Sequence, residues 1–128
     1  PVKLGADMPE LLFADIAQEA ARSIAAAGAG RNNKSSQLRK FYDELVMWHD
    51  KLAFEKTADA RAAKYRELAP FIKMMNAKVA YARGRGHVDQ NFEQLFSHLI
   101  RQIACPATLK NAKLFMEAVL GFLKAEEK

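Results

Sequence analysis

The sequence predicts an all-α fold, a single-domain bundle of five or six helices. Three observations carry this. Apolar residues return every three or four positions along most of the chain; glycine, asparagine and proline fall between those stretches; and no segment shows the alternation of a strand or the turn signal of a hairpin. At 128 residues, 50% hydrophobic and 27% charged, the chain has enough apolar material for one core and does not have the composition of a disordered segment.

In order along the chain, Asp7 with Glu10 three positions later makes a capping pair, and Leu12, Ile16, Ala20, Ile24 and Ala27 then repeat at helical spacing as far as Gly28. Residues 28 to 34, GAGRNNK, are a loop, because glycine and asparagine lower helix propensity. Ser35 or Ser36 caps a second helix reaching about Phe54, with Leu38, Phe41, Tyr42, Leu45, His49 and Leu52 on one stripe. A third helix starts near Thr57. Pro70 either bends or divides it, since proline lacks the N–H and crowds the preceding turn. Beyond Pro70, Phe71, Met75, Val79 and Ala82 face inward, and Tyr81 packs in the core.

The glycines of RGRGHVD finish that helix and Asp89 caps the next, whose residues Phe92, Leu95, Phe96, Leu99, Ile100 and Ile103 give the most regular stripe in the chain. Cys105, read as a small buried hydrophobe, and Pro106 end it. A last helix from about Thr108 buries Ala112, Phe115, Val119, Phe122 and Leu123; its Gly121 costs about 1 kcal/mol relative to alanine unless a close neighbour needs the space.

Composition narrows the chemistry. A single cysteine excludes an internal disulfide, no cysteine and histidine spacing suggests zinc, and a reducing compartment, the cytoplasm, is expected. The chain reads as neither secreted nor membrane-spanning, with no membrane partner, because it shows no basic flank followed by an apolar run and no 18-residue uncharged stretch. His49, His87 and His98 lack metal-ligand spacing, and His49 on the apolar stripe reads as a satisfied core residue. Asp43 and Glu44 point to different sides of a helix, as surface charges do. No phosphate-cradling glycine loop or nucleophile elbow is present. The expectation is no catalytic residue, no metal and no cofactor.

Charge is where the sequence is uneven. The net charge is +5, but residues 1 to 30 carry two cations and four acids, residues 31 to 86 thirteen and six, and residues 87 to 128 five of each. The surplus sits in the middle. Part of it falls at the start of the second helix, NKSSQLRKFYDEL, where Lys34, Arg39 and Lys40 face a helix end that already presents free N–H groups and about half a positive charge. Asp43 and Glu44 compensate Arg39 and Lys40 in the less favourable order, base before acid. Two readings stand: a solvated basic face, or an external anion received by the N–H groups, the Ser35 and Ser36 hydroxyls and the three cations. The second basic stretch, NAKVAYARGRGHV, places Lys78, Arg83 and Arg85 at a helix C-terminus, where cations are welcome without any ligand.

Three stretches, KSSQLRKFYDEL, AKVAYARGRG and LKNAKLFMEAVLGFLK, in this order and at these separations, resemble the small subunit of the type III-A CRISPR effector, the Csm complex. The resemblance spans residues 33 to 124 and leaves the N-terminal helix and loop, residues 1 to 32, outside it. It implies a non-catalytic RNA-binding subunit that stacks in several copies beside the backbone subunits of the effector. There it would line the duplex of guide RNA and target RNA and support target recognition in antiviral defence, while base pairing reads the sequence. Carried over by position, it implies that Lys34, Ser36, Arg39 and Lys40 from the first motif, and Lys78 and Arg85 from the second, meet RNA phosphates. Phe115, Met116, Ala118, Val119 and Phe122 of the third would serve packing or subunit contact, and Arg83 departs from the motif. Two other classes fit the same basic helices: an adaptor whose basic face meets an acidic protein, and a helical DNA-binding regulator that dimerises to place a helix in the major groove.

Overall fold

The computed structural model describes residues 2 to 28 and 33 to 126. A π-helical turn, Leu12–Ile16, leads into α1, Ala17–Gly28; α2 (Ser35–Ala53), α3 (Ala58–Lys73), α4 (Met75–Gly84), α5 (Gln90–Gln102) and α6 (Pro106–Glu126) follow. No strand occurs among the described residues. The protein is all-α, as its periodicity predicts.

The long helix α6 is the centre of the packing: α1 and α2 lie against it, while α5 packs on α4. Between them Phe92, Phe96 and Phe115 are completely buried. Phe41 of α2 reaches into this cluster, its ring centroid 5.8 Å from Phe92 and 5.2 Å from Phe96, so α2 and α5 share an aromatic seam. The expected stripe of α5 is realised: Phe92, Phe96, Leu99, Ile100 and Ile103 are buried and Leu95 is half-buried. Asp89 caps α5 by accepting from the Phe92 N–H at 3.0 Å.

The first helix starts later than its sequence suggests. Asp7 caps nothing and instead pairs with Lys3 at 3.5 Å, beside a turn closed by the Met8 N–H on the Gly5 carbonyl. The π turn then inserts one residue, with the Ile16 N–H on the Leu11 carbonyl, and the buried series becomes Leu12, Ala17, Ala21, Ile24. That extra residue moves Ile16 and Ala20 to the edge of the core. The segment before it is held by polar contacts: Leu4 donates to Gln102 Oε1 at 3.0 Å, and Asn111 Nδ2 donates to the Leu4 carbonyl at 2.8 Å.

At α2 the cap differs from expectation. Lys34 is the N-cap, with φ −66° and ψ 141°, and no side chain caps the helix; Ser35 and Ser36 already lie inside it. The expected loop before α2 falls mostly outside the described residues. Thr57 caps α3 by accepting from the Ala60 N–H.

Pro70 lies inside α3, and the division from α4 falls four residues beyond it, at Met74. The helix runs through the proline to Lys73, because Pro70 and Arg66, whose carbonyl loses its partner, both lie on the exposed side where water can replace the bond. The phase puts Ile72, not Phe71, in the core; Phe71 is 55% exposed. Lys73 closes the other side of this junction, donating to the Ile100 carbonyl at 2.7 Å and to that of Ile103 at the end of α5, and burial pushes its ammonium below the ordinary lysine range.

Pro106 opens α6 at a position where a missing N–H costs nothing. Cys105 is only half-buried, and hydrogen bonding with Thr108 holds its thiol below the usual cysteine range. Along α6, Leu109 and Met116 join the predicted Ala112, Phe115, Val119 and Leu123 in the core, whereas Phe122 is half-buried. An alanine Cβ at Gly121 would meet nothing within 4 Å, so no neighbour among the described residues requires glycine there. No helix is long and apolar enough to cross a membrane among the described residues.

Candidate nucleic-acid interface

The entrance of α2 is electrostatically open. Its first turn contains no acid and, among the described residues, no capping side chain, so there the N–H groups and the positive end of the helix dipole stand beside hydroxyls and cations. Ser36 is exposed and Ser35 half-buried. Arg39 stands 70% exposed, with Asp43 at 3.8 Å and itself 61% exposed, a loose pair one turn along the helix. Lys40 has only a 3.4 Å contact to Gln37 Oε1, and the exposed Lys34 side chain has no partner among the described residues. Ser35, Ser36 and Arg39 line a cleft of about 330 Å³ with Leu120 and Lys124 of α6. The C-terminal helix thus adds a cation beside the α2 entrance.

The loop after α4 is bound directly to this entrance. Asn33, immediately before the Lys34 cap, is 5% exposed and left-handed at φ 56°. Its N–H donates to the His87 carbonyl at 3.0 Å, and its side chain donates to Asp89 Oδ1 at 2.7 Å and to the Ile24 carbonyl at 3.2 Å. Asp89 returns its N–H to Asn33 Oδ1 at 2.9 Å. Gly86, at φ 78°, supplies the positive φ that turns the chain between Arg85 and His87. The Arg85 loop and the Lys34 segment therefore lie side by side. The one local signal for Asn33 is its tolerance of left-handed backbone immediately before a helix start; its distant partners have none.

The remaining cations of the second stretch have internal partners. Lys78 lies in the first turn of α4 and not at the helix C-terminus expected, because α3 ends before Met75; it donates to both carboxylate oxygens of Glu44 at 3.0 Å, and Trp48 Nε1 donates to the same carboxylate, which is 18% exposed. Glu44 is thus an interhelical anchor, not a plain surface charge. Arg83 pairs with Glu93 of α5, which accounts for a cation that stood apart from the motif. Tyr81 is 66% exposed, against the expectation that it packs in the core: the α4 stripe runs through Met75, Val79 and Ala82 and leaves position 81 outside. The Arg85 guanidinium lies 5.9 Å from the Tyr81 ring centroid and donates to its hydroxyl at 3.1 Å.

Of the six residues singled out in the sequence, Lys34, Ser36, Arg39 and Lys40 share the α2 entrance, Arg85 rides on the loop latched to it, and Lys78 is engaged with Glu44. No group of three or more histidine, cysteine, aspartate or glutamate side chains is arranged for a metal among the described residues. His49 is half-buried, and its buried Nδ1 has no hydrogen-bond partner, with Asp50 Oδ1 3.5 Å away; it is not the satisfied core histidine expected.

Fold and site together define a small helical protein with an open cationic helix entrance. The Csm2 Type III-A family model matches residues 12 to 128, nearly the whole chain, and the chain belongs to that family, the small subunit of the type III-A CRISPR effector complex. No curated protein and no solved structure matches it.

Proposed function

We propose that this subunit binds RNA through the phosphate backbone, without catalysis of its own, as a single helical domain of residues 1 to 128. In the effector it lies along the duplex of guide RNA and target RNA, beside the other Csm subunits and further copies of itself, and supports target recognition in cytoplasmic antiviral defence. The observation that carries this reading is the α2 entrance: free helix N–H groups, the Ser36 hydroxyl and the loosely held Lys34, Arg39 and Lys40, next to the Arg85 loop. Phosphate oxygens satisfy all of these at once, which no side chain among the described residues does. Lys78 contributes to the local positive field and reaches RNA by exchanging its Glu44 partner. Tyr81, exposed beside Arg85, offers one ring face to a base, too little for sequence preference.

Binding of unrelated single-stranded RNAs of equal length, measured over a salt series, tests the reading. Three or four phosphate contacts give a slope of log K against log salt of about −2 to −3, at ~0.7 per contact on single strands. Equal affinities with that slope are expected. A flat salt response, or strong discrimination between sequences, would contradict backbone binding; preference for one duplex DNA sequence would favour the regulator reading.

A further inference from the structure

We infer that Asn33 is a positioning residue for RNA binding: it touches no RNA, and its side chain clamps the Arg85 loop to the α2 entrance so that both cationic segments meet one strand. This rests on the RNA-binding reading above and adds the element that joins its two halves.

Asn33 is the only buried polar residue among the described ones, and it sits at the junction of three elements. Its amide closes a reciprocal pair with Asp89, donating at 2.7 Å and accepting at 2.9 Å, while the remaining amide hydrogen reaches the Ile24 carbonyl of α1. Asp89 Oδ1 also caps α5 through Phe92, so the clamp is anchored to the most regular helix. A folded core alone does not require this arrangement, because a glycine would accept φ 56° at lower steric cost and a serine cap would start α2 without any long-range bond. What the amide adds is distance control. Lys34 follows it directly, and His87, whose carbonyl receives the Asn33 N–H, stands two residues after Arg85. Two contacts held in register on one strand bind more tightly than the same two contacts on independently moving segments, since the second costs less ordering once the first is made.

An exchange of chemistry tests this. Asn33→Asp sets two carboxylates against each other where a donor met an acceptor, whereas Asn33→Asp combined with Asp89→Asn restores the donor and acceptor pair between positions 33 and 89 and the parent net charge, but not the bond to the Ile24 carbonyl. Asn33→Gly keeps the backbone angle and removes the clamp, so it covers the case in which Asn33→Asp fails to fold. Melting temperature is measured first. RNA affinity then follows for the parent, these variants and the Arg39→Ala, Arg85→Ala double variant, with hydrogen exchange of the Asp89 amide as a local monitor. The expected result is an RNA affinity lowered roughly five- to tenfold in Asn33→Asp and Asn33→Gly, with every proposed cation still in place, faster Asp89 exchange, and recovery to within about twofold in the exchanged pair. If the arginine double variant loses RNA while the folded Asn33 variants hold it as tightly as the parent, Asn33 has no positioning role and the RNA reading stands. If the exchanged pair folds and protects the amide at position 89 as the parent does, but does not recover affinity, the positioning role is likewise overturned. If neither the parent nor the arginine variant shows salt-sensitive RNA binding, both readings fall together.

Discussion

Between Lys34 and Lys40 the chain carries three cations, and between Lys78 and Arg85 it carries three more, yet the fold treats the two sets differently. In the second set Lys78 is held by Glu44, Arg83 by Glu93 and Arg85 by the Tyr81 ring and hydroxyl. In the first, Arg39 has one exposed acid at 3.8 Å, Lys40 one amide at 3.4 Å, and Lys34 no partner among the described residues. Position in the helix and the acids within reach together explain the contrast. Arg83 in the last turn of α4 and Arg85 at its cap complement the helix dipole, and Arg83 and the first-turn Lys78 find acids on α5 and α2, whereas the cations at the start of α2 oppose the dipole and find no acid as close. Charge counted along a sequence therefore overstates what a ligand can use, and the acids that the fold brings within reach of each cation are the better guide.

The strongest challenge to this contrast is a substitution that loosens both regions. Phe96 of α5 touches Phe41 of α2 and Phe92, and it is completely buried. Phe96→Ala should lower unfolding free energy by about 3 to 5 kcal/mol, read by denaturant or thermal unfolding, because a cavity opens in the aromatic seam between α2 and α5. An unfolding curve that hardly moved would mean that the aromatic seam does not carry the packing assigned to it.

A smaller effect separates the two sets. Lys78→Ala leaves the mostly buried Glu44 with Trp48 alone and should cost about 1 to 2 kcal/mol of stability. Lys34→Ala and Lys40→Ala, at exposed positions without firm partners, should change stability by no more than about 0.5 kcal/mol. Equal destabilisation in thermal unfolding at both places would erase the distinction between structural and available cations.

Much of this architecture is legible in the chain, and the exceptions have physical causes. The α5 stripe is readable because its apolar period is unbroken and Asp89 caps it locally. The start of α1 is not, since a π turn shifts the phase by one residue and the tertiary contacts of Leu4 with Gln102 and Asn111 take the place of a cap. Phe71 and Tyr81 lie outside although their apolar character predicts burial, because the phase of α3 and α4 puts Ile72, Val79 and Ala82 inside. At the candidate interface the cations are evident in the sequence, but their partners are not: Glu44 lies 34 residues from Lys78, and Asp89 lies 56 residues from Asn33. Pairings over such separations have no local signature.

RNA retention by Arg39→Ala combined with Arg85→Ala is the decisive measurement, made on the subunit alone and in the reconstituted effector, at two salt concentrations and after melting has been checked. Arg39 is exposed off the α2 stripe and Arg85 is exposed on the loop, so melting should be unchanged. RNA binding by the isolated subunit should weaken by about 1 to 3 kcal/mol for each charge-assisted hydrogen bond removed, with a salt slope shallower by about 1.4 for two phosphates no longer neutralised. In the assembled effector, neighbouring subunits should reduce the effect. Early melting would make these arginines structural, and a stable variant that holds RNA as tightly as the parent would contradict the assignment of this face to RNA.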